Sequence, residues 1–75
     1  MSWQHHIESH PTVMHGAACI KGTRIPASVV LDNLAAGMTP DELIREYPSL
    51  THEAIQAALA YAAALARERV INMPA

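Results

Sequence analysis

The chain has 75 residues, a formal net charge of −2 at pH 7 and an apolar share of 51%, with one Trp, two Tyr and no Phe. A chain of this size forms one domain at most, and it covers so little of its unfolded surface that a partner would stabilise it. The five Lys and Arg against seven Asp and Glu exclude a general polyanion-binding surface, so any nucleic-acid contact is confined to a local site.

The cysteine content and the hydropathy indicate a soluble, cytoplasmic protein. Cys19 has no second thiol for a disulfide or a metal cage, which fits a reducing compartment. No run approaches the twenty or so apolar residues that cross a membrane. The first residues, MSWQHHIESHP, lack the apolar segment of a signal peptide. We therefore expect no membrane association.

Residues 1–25 are predicted to form a β element with turns. Turn-forming residues interrupt this part at His10-Pro11, Gly16 and Lys21-Gly22, and the runs between them are too short for a helix. Lys21-Gly22 lies between AACI and TRI and suits the two-residue turn of a β-hairpin.

Arg24 lies in the motif GTRIP, where it alternates with its neighbours in an extended segment. If Ile25 turns into the core, the Arg24 guanidinium points the other way, toward a strand, a subunit or solvent. The planar guanidinium suits a carboxylate, and acidic residues outnumber basic ones in this chain. We expect Arg24 to form a structural ion pair or a dimer contact, with phosphate and protein-partner contacts as alternatives, and we assign Lys21 to the same contact surface.

A first helix is predicted over residues 26–37. Pro26 suits the first helical turn and Gly37 suits the C-terminal stop. Six apolar residues in and just after this stretch recur at the spacing of one helical face, and they are Ala27, Val30, Leu31, Leu34, Ala35 and Met38.

Two further helices are predicted over residues 39–47 and 51–70. Thr39 and Glu42 have the spacing of a capping box, and Pro48 ends the helix that they begin. Thr51 is placed to cap the last helix, whose many alanines favour helix formation and close approach of another helix. Each start also has a hydrophobic staple, formed by Met38 with Leu43 and by Leu50 with Ile55.

The two capped helices have the arrangement of a helix-turn-helix, whose second helix can enter the major groove of DNA. A helical hairpin without this function has the same local signals, so both interpretations remain open. On the DNA-binding interpretation, Gln56 pairs with adenine and the backbone N–H groups of Thr51 and His52 seat a phosphate. The candidates for positive charge are Arg45, Lys21 and Arg24. Ala57 and Ala60 would share that face, with Glu53 either accepting from cytosine or repelling phosphate.

The sequence contains no pattern for catalysis, for a metal or for a cofactor. In a strand, as we expect for this part of the chain, the adjacent His5 and His6 would point to opposite faces, and His10, His15 and His52 show no ligand spacing. A nucleophile elbow and a glycine-rich phosphate loop are both missing from the sequence. We expect that the protein is not an enzyme and holds no metal or cofactor.

Residues 10–62 resemble the domain-of-unknown-function (DUF) family four-three-three, a group of small prokaryotic antitoxin-like proteins. The markers are Gly-Thr-Arg-Ile at 22–25, Leu-Ala-Ala-Gly at 34–37 and Tyr-Pro-Ser-Leu-Thr at 47–51. The resemblance implies a mainly α, homeodomain-like three-helix domain with a helix-turn-helix behind a short N-terminal β-hairpin, in a dimer. It also implies the antitoxin of a type II toxin-antitoxin system, which binds a PIN-like ribonuclease toxin and represses its own operon.

One departure bears on operator binding, because residues 52–61 contain no Lys or Arg. Three functions therefore remain open at the level of sequence. The chain is a dimeric antitoxin, a stand-alone DNA-binding regulator, or a protein-interaction module whose helix-turn-helix no longer binds DNA.

Overall fold

The structure is a computed structural model that describes residues 2–9 and 17–68, and it is mainly helical. A short 3₁₀ helix, Trp3–His5, is followed by strands β1 (Ile7–Ser9) and β2 (Ala18–Ile20). Helices α1 (Ala27–Ala35), α2 (Pro40–Glu46) and α3 (His52–Glu68) complete the described part. The prediction of three helices behind a short N-terminal β-hairpin is confirmed. The last two residues of the predicted third helix, 69–70, lie outside the described residues.

The two strands pair antiparallel, with Ile7 opposite Ile20 and Ser9 opposite Ala18. Ile7 and Ile20 are both buried, so this end of the sheet packs on the helices and belongs to the core. The pairing joins segments that are distant in sequence.

The turn at Lys21-Gly22 is present, but the strand predicted after it is not formed. The Thr23 N–H donates to the Ile20 carbonyl at 3.0 Å, and Gly22 has a φ of +79°. The Thr23 hydroxyl also donates to the Ile20 carbonyl at 2.8 Å and accepts from the Ile25 N–H at 3.1 Å. These bonds curl the segment into a compact loop, so only an isolated bridge between Cys19 and Pro26 remains of the expected pairing.

Helix α1 begins one residue later than predicted, because Pro26 is the N-cap, with φ −63° and ψ 144°, and not part of the first turn. Its C-terminal end is a Schellman motif. The Met38 N–H donates to the Asn33 carbonyl and the Gly37 N–H to the Leu34 carbonyl, each at 3.0 Å. Gly37 has a φ of +98°, which confirms it as the stop signal.

Both predicted caps of the following helices are formed. The Glu42 N–H donates to the Thr39 hydroxyl at 3.2 Å, while the Thr39 N–H donates to a Glu42 carboxylate oxygen at 3.0 Å. The Ala54 N–H donates to the Thr51 hydroxyl at 3.1 Å. These side chains satisfy N–H groups that would otherwise lack partners at the helix starts, and so they fix where α2 and α3 begin.

The core lies between the sheet and the three helices. Its largest enclosed side chains are Val30, Leu43 and Ile55, one from each helix. Ala57 has no exposed surface, so the expectation that Ala57 faces outward beside Gln56 is wrong. The reason is the buried stripe of α3, formed by Ala54, Ile55, Ala57 and Ala58.

The N-terminal 3₁₀ helix packs against α3 through a pair of aromatic rings. The Trp3 and Tyr61 ring centroids are 5.2 Å apart with an interplanar angle of 62°, an edge-to-face arrangement. The contact joins the N-terminal segment to the second half of α3, and no local sequence pattern predicts it.

Candidate functional site

An open cleft of about 640 Å³ lies where α2 meets the start of α3. Its lining comes from both helices and from their connection, and we call it the α2–α3 cleft, formed by Asp41, Ile44, Arg45, Leu50, Thr51, His52 and Glu53. The floor is apolar, since Leu50 is only 3% exposed and Ile44 is half-buried. The rim carries the charged and polar groups, so the cleft combines an apolar base with charged edges.

The cleft brings together three of the four residues predicted to bind DNA. Arg45 comes from the last turn of α2, Thr51 from the connection and His52 from the first turn of α3. Gln56 is exposed one turn further along α3 and does not line the cleft. The Thr51 hydroxyl already accepts the N–H of Ala54 as the helix cap, so its first role is structural.

Acidic groups dominate the charge around the cleft. Between residues 39 and 56 the chain has four carboxylates, at Asp41, Glu42, Glu46 and Glu53, and Arg45 as its one cation. A phosphate backbone would meet a repulsive field on this side of the molecule. Three of the residues predicted to bind DNA therefore lie together, but the negative charge around them would repel a polyanion.

His52 connects the two helices at the rim. Its Nε2 lies 3.3 Å from an Asp41 carboxylate oxygen, and the two side chains are 62% and 79% exposed. At this exposure an ion pair contributes little stability. The contact sets the relative position of two polar groups at the mouth of the cleft.

The capping box places a carboxylate at the start of α2, beside the cleft. The Thr39 N–H, and after it the Thr39 hydroxyl, hold the pKa of Glu42 below its ordinary value. Hydrogen bonds that favour the charged form have this effect. Glu42 therefore keeps its negative charge to lower pH than a free glutamate.

Lys21 and Arg24, predicted as dimer or partner contacts, lie in the loop between β2 and α1 and do not line the cleft. Both are exposed, and Ile25 packs against the core, as the alternation predicts. Within residues 2–9 and 17–68 no carboxylate pairs with Arg24. An ion pair inside the described part of the chain is therefore not found, and a dimer contact stays a prediction.

Asp41 and Ile44 line the cleft, although the sequence did not predict them as site residues. The position of Asp41 in the sequence fits a carboxylate at the positive N-terminal end of α2. The position of Ile44 fits the buried side of the same helix. The sequence does indicate that these residues share a surface, because Asp41, Ile44 and Arg45 have the i, i+3, i+4 spacing of one helical face.

The described residues contain neither a metal-ligand cluster nor a membrane-spanning helix. Among these residues no three His, Cys, Asp or Glu side chains come together as metal ligands would. None of the helices in this part of the chain is long and apolar enough to cross a bilayer. His10 and His15 lie outside the described residues.

Comparison with known families identifies the chain. The family described as "Protein of unknown function (DUF433)" matches residues 7–62. The chain belongs to the DUF433 family. The match spans β1, β2, α1, α2 and α3 as far as residue 62, including all the residues of the α2–α3 cleft.

Two individual proteins resemble this DUF433 chain. Protein y4eO of Sinorhizobium fredii (strain NBRC 101917 / NGR234) is 34% identical over 58 residues, which are 77% of this chain and 26% of y4eO. A crystal structure of a DUF433 member from Anabaena variabilis ATCC 29413 superposes with a TM-score of 0.78 at 34% identity. That similarity covers 87% of this chain and 64% of the Anabaena chain. The present chain thus spans about a quarter of y4eO and under two thirds of the Anabaena protein.

Proposed function

We propose that this DUF433 protein is an antitoxin-type binding protein whose α2–α3 cleft takes a basic segment of a PIN-like ribonuclease. The observation that carries the proposal is the acidic rim around an apolar floor, with Asp41 and Glu53 above Leu50. Lys and Arg side chains have an apolar stem and a cationic end, so they complement a cleft of this kind.

The partner class follows from the resemblance of residues 10–62 to antitoxin-like proteins and from charge. A ribonuclease must attract RNA phosphates, and it does so with Lys and Arg. An acidic helix pair seated on those cations would compete with RNA for the same surface. Binding of this protein would then inhibit the nuclease without any catalytic residue on the antitoxin.

Operator binding is the second candidate function, and one observation favours it. Arg45, Thr51 and His52 line one cleft, and Gln56 is exposed on the next turn of α3. This is where a helix-turn-helix presents side chains to DNA. The acidic balance between residues 39 and 56 makes this function the weaker candidate.

The test is a calorimetric titration of the protein with the product of the gene that neighbours its own, comparing wild type with Asp41→Lys. We expect the reversed charge at the cleft rim to weaken binding about tenfold or more. Asp32→Lys is the matched control, because Asp32 is an exposed carboxylate on α1 that does not line the cleft. Equal affinities for all three proteins, or no binding by wild type, would contradict the proposal.

The same proteins are titrated against DNA from upstream of the gene at several salt concentrations. Tight binding with a steep salt dependence that Arg45→Ala and Gln56→Ala abolish would favour the operator function. Binding no tighter than that of unrelated DNA is the result we expect.

A further inference from the structure

The Trp3 side chain covers part of the second half of α3. Its ring lies edge-to-face on the Tyr61 ring, with the two centroids 5.2 Å apart. Both side chains are half-buried and pack against the core. This surface of α3 is therefore occupied by an aromatic side chain of the same chain.

The segment that carries Trp3 is attached to the fold by few contacts. It is a single 3₁₀ turn of three residues, none of which is buried, and Ser2 provides no side-chain cap. Among the described residues, the hydrogen bonds of residues 2–5 stay within the turn and its continuation at His6. The first bond to the sheet is at His6, whose carbonyl accepts the Lys21 N–H at 2.7 Å. Trp3 can therefore leave α3 without breaking the strand pairing, and a segment of this kind opens at low free energy.

The covering segment and the covered surface differ in their relation to the family. The DUF433 match begins at residue 7, so Trp3 precedes it, whereas Tyr61 lies within it. The part of the chain that matches the family therefore contains the surface without the segment that covers it here. Trp3 is an addition to that part, and it occupies one of its surfaces.

The surroundings of Tyr61 are apolar, and Trp3 leaves them uncovered. Tyr61 lines an apolar groove of about 250 Å³ with Leu31 of α1 and Leu65 of α3, and Trp3 does not line it. Leu65 is 40% exposed. Apart from Trp3, residues 2–6 are polar and offer this groove no apolar side chain. A segment with an aromatic residue and apolar neighbours would bury more apolar surface here than Trp3 does.

We propose that the α3 surface around Tyr61 is a docking site for a partner segment that carries an aromatic side chain, and that Trp3 occupies this site as an internal competitor. Aromatic rings prefer the edge-to-face contact that Trp3 makes with Tyr61, so a partner's ring can take the same position. The partner must displace Trp3, so its apparent affinity falls in proportion to the fraction of molecules that are open. Tyr61 does not line the α2–α3 cleft, so this site is independent of the nuclease-binding proposal.

The first test adds the covering segment back as a separate peptide. The probe is an acetylated peptide of residues 2–6, and the protein is the full chain with Trp3→Ala, so the peptide holds the one tryptophan in the mixture. We expect the peptide emission to shift to shorter wavelength as its ring leaves water. Amide NMR titration of both proteins should show that wild type binds the peptide about tenfold more weakly, because its own Trp3 competes.

Two controls assign the binding to the aromatic contact. The same peptide with Trp3→Ala has no ring and should not bind. Adding Tyr61→Leu to the Trp3→Ala protein keeps an apolar side chain against the core and should abolish binding. Leu59→Ala in the same protein is the matched control, since Leu59 is an exposed residue of α3 that does not line the groove, and it should bind like its parent. Circular dichroism melting establishes that each variant is folded.

A second measurement uses wild type without any substitution. Trp3 is the one tryptophan of the chain, so its fluorescence reports the covering segment, while circular dichroism reports the helices. We expect urea to change the fluorescence at lower concentration than it unfolds the helices, because the segment opens before the fold is lost. Coincident transitions would overturn the proposal. No binding of the peptide to the Trp3→Ala protein, equal affinity for that protein and wild type, or binding that Tyr61→Leu does not weaken would each overturn it as well.

Discussion

Thr39 and Glu42 act as a unit at the start of α2, each side chain accepting the backbone N–H of the other. Without the Thr39 hydroxyl, the Glu42 N–H has no partner in the chain. We predict that Thr39→Ala lowers the free energy of unfolding by about 1 kcal/mol. Urea denaturation measures the change, with Ser28→Ala, at an exposed serine of α1, as the control that should leave stability unaltered.

Glu42 also gives the stability a defined dependence on pH. Its pKa is lower in the folded chain than in the unfolded one, so its stabilising effect is complete above the unfolded pKa and is lost as pH falls through the folded pKa. We predict that Glu42→Gln is less stable than wild type at pH 7 and that the difference disappears in acid. Denaturation midpoints at pH 7 and pH 3 check this, and a constant difference would contradict it.

At the scale of elements, the end of α1 depends on a backbone conformation that favours glycine. Gly37 has a φ of +98°, and a Cβ built there meets nothing within 4 Å, so the cost of a side chain is conformational and not steric contact with neighbours. We predict that Gly37→Ala destabilises the fold by about 1 to 2 kcal/mol. Gly37→Asn should cost less, because asparagine tolerates this region better. Equal stability of the two variants, measured by thermal melting, would contradict the argument.

The helix boundaries could be predicted from sequence because their signals are local. Thr39, Glu42 and Thr51 each act within three residues of the groups that they cap, and Gly37 acts within one turn. The strand pairing and the contact of Trp3 with Tyr61 could not be predicted in this way. They join residues far apart in the chain, and no local pattern specifies them.

For the cleft and for α3 as well, local signals could be predicted from the sequence and long-range packing could not. The caps predicted that Arg45, Thr51 and His52 lie near one another, since they flank a short connection. The inward position of Ala57 was missed because alanine carries no hydropathy signal strong enough to separate the two sides of an alanine-rich helix. The burial of each alanine is decided by the packing of α1 and the sheet.

At the scale of the whole molecule, the charge distribution distinguishes two surfaces, the acidic α2–α3 cleft and the outward face of α3. The acidic cleft between α2 and α3 suits a cationic protein segment, and the outward face of α3 has no charged residue between Glu53 and Arg67. Neither surface suits a phosphate backbone. We therefore propose protein–protein contacts for this DUF433 protein, with the α2–α3 cleft as the contact surface.

The most direct test is an amide NMR titration of the protein with the product of the gene that neighbours its own. We predict chemical-shift changes confined to the lining of the α2–α3 cleft, strongest at Ile44, Arg45 and Glu53, and none of these changes with upstream DNA. Shifts at Lys21 and Arg24 without any at the cleft would contradict the account. Shifts at the cleft with DNA alone would contradict it equally, and they would assign the site to an operator.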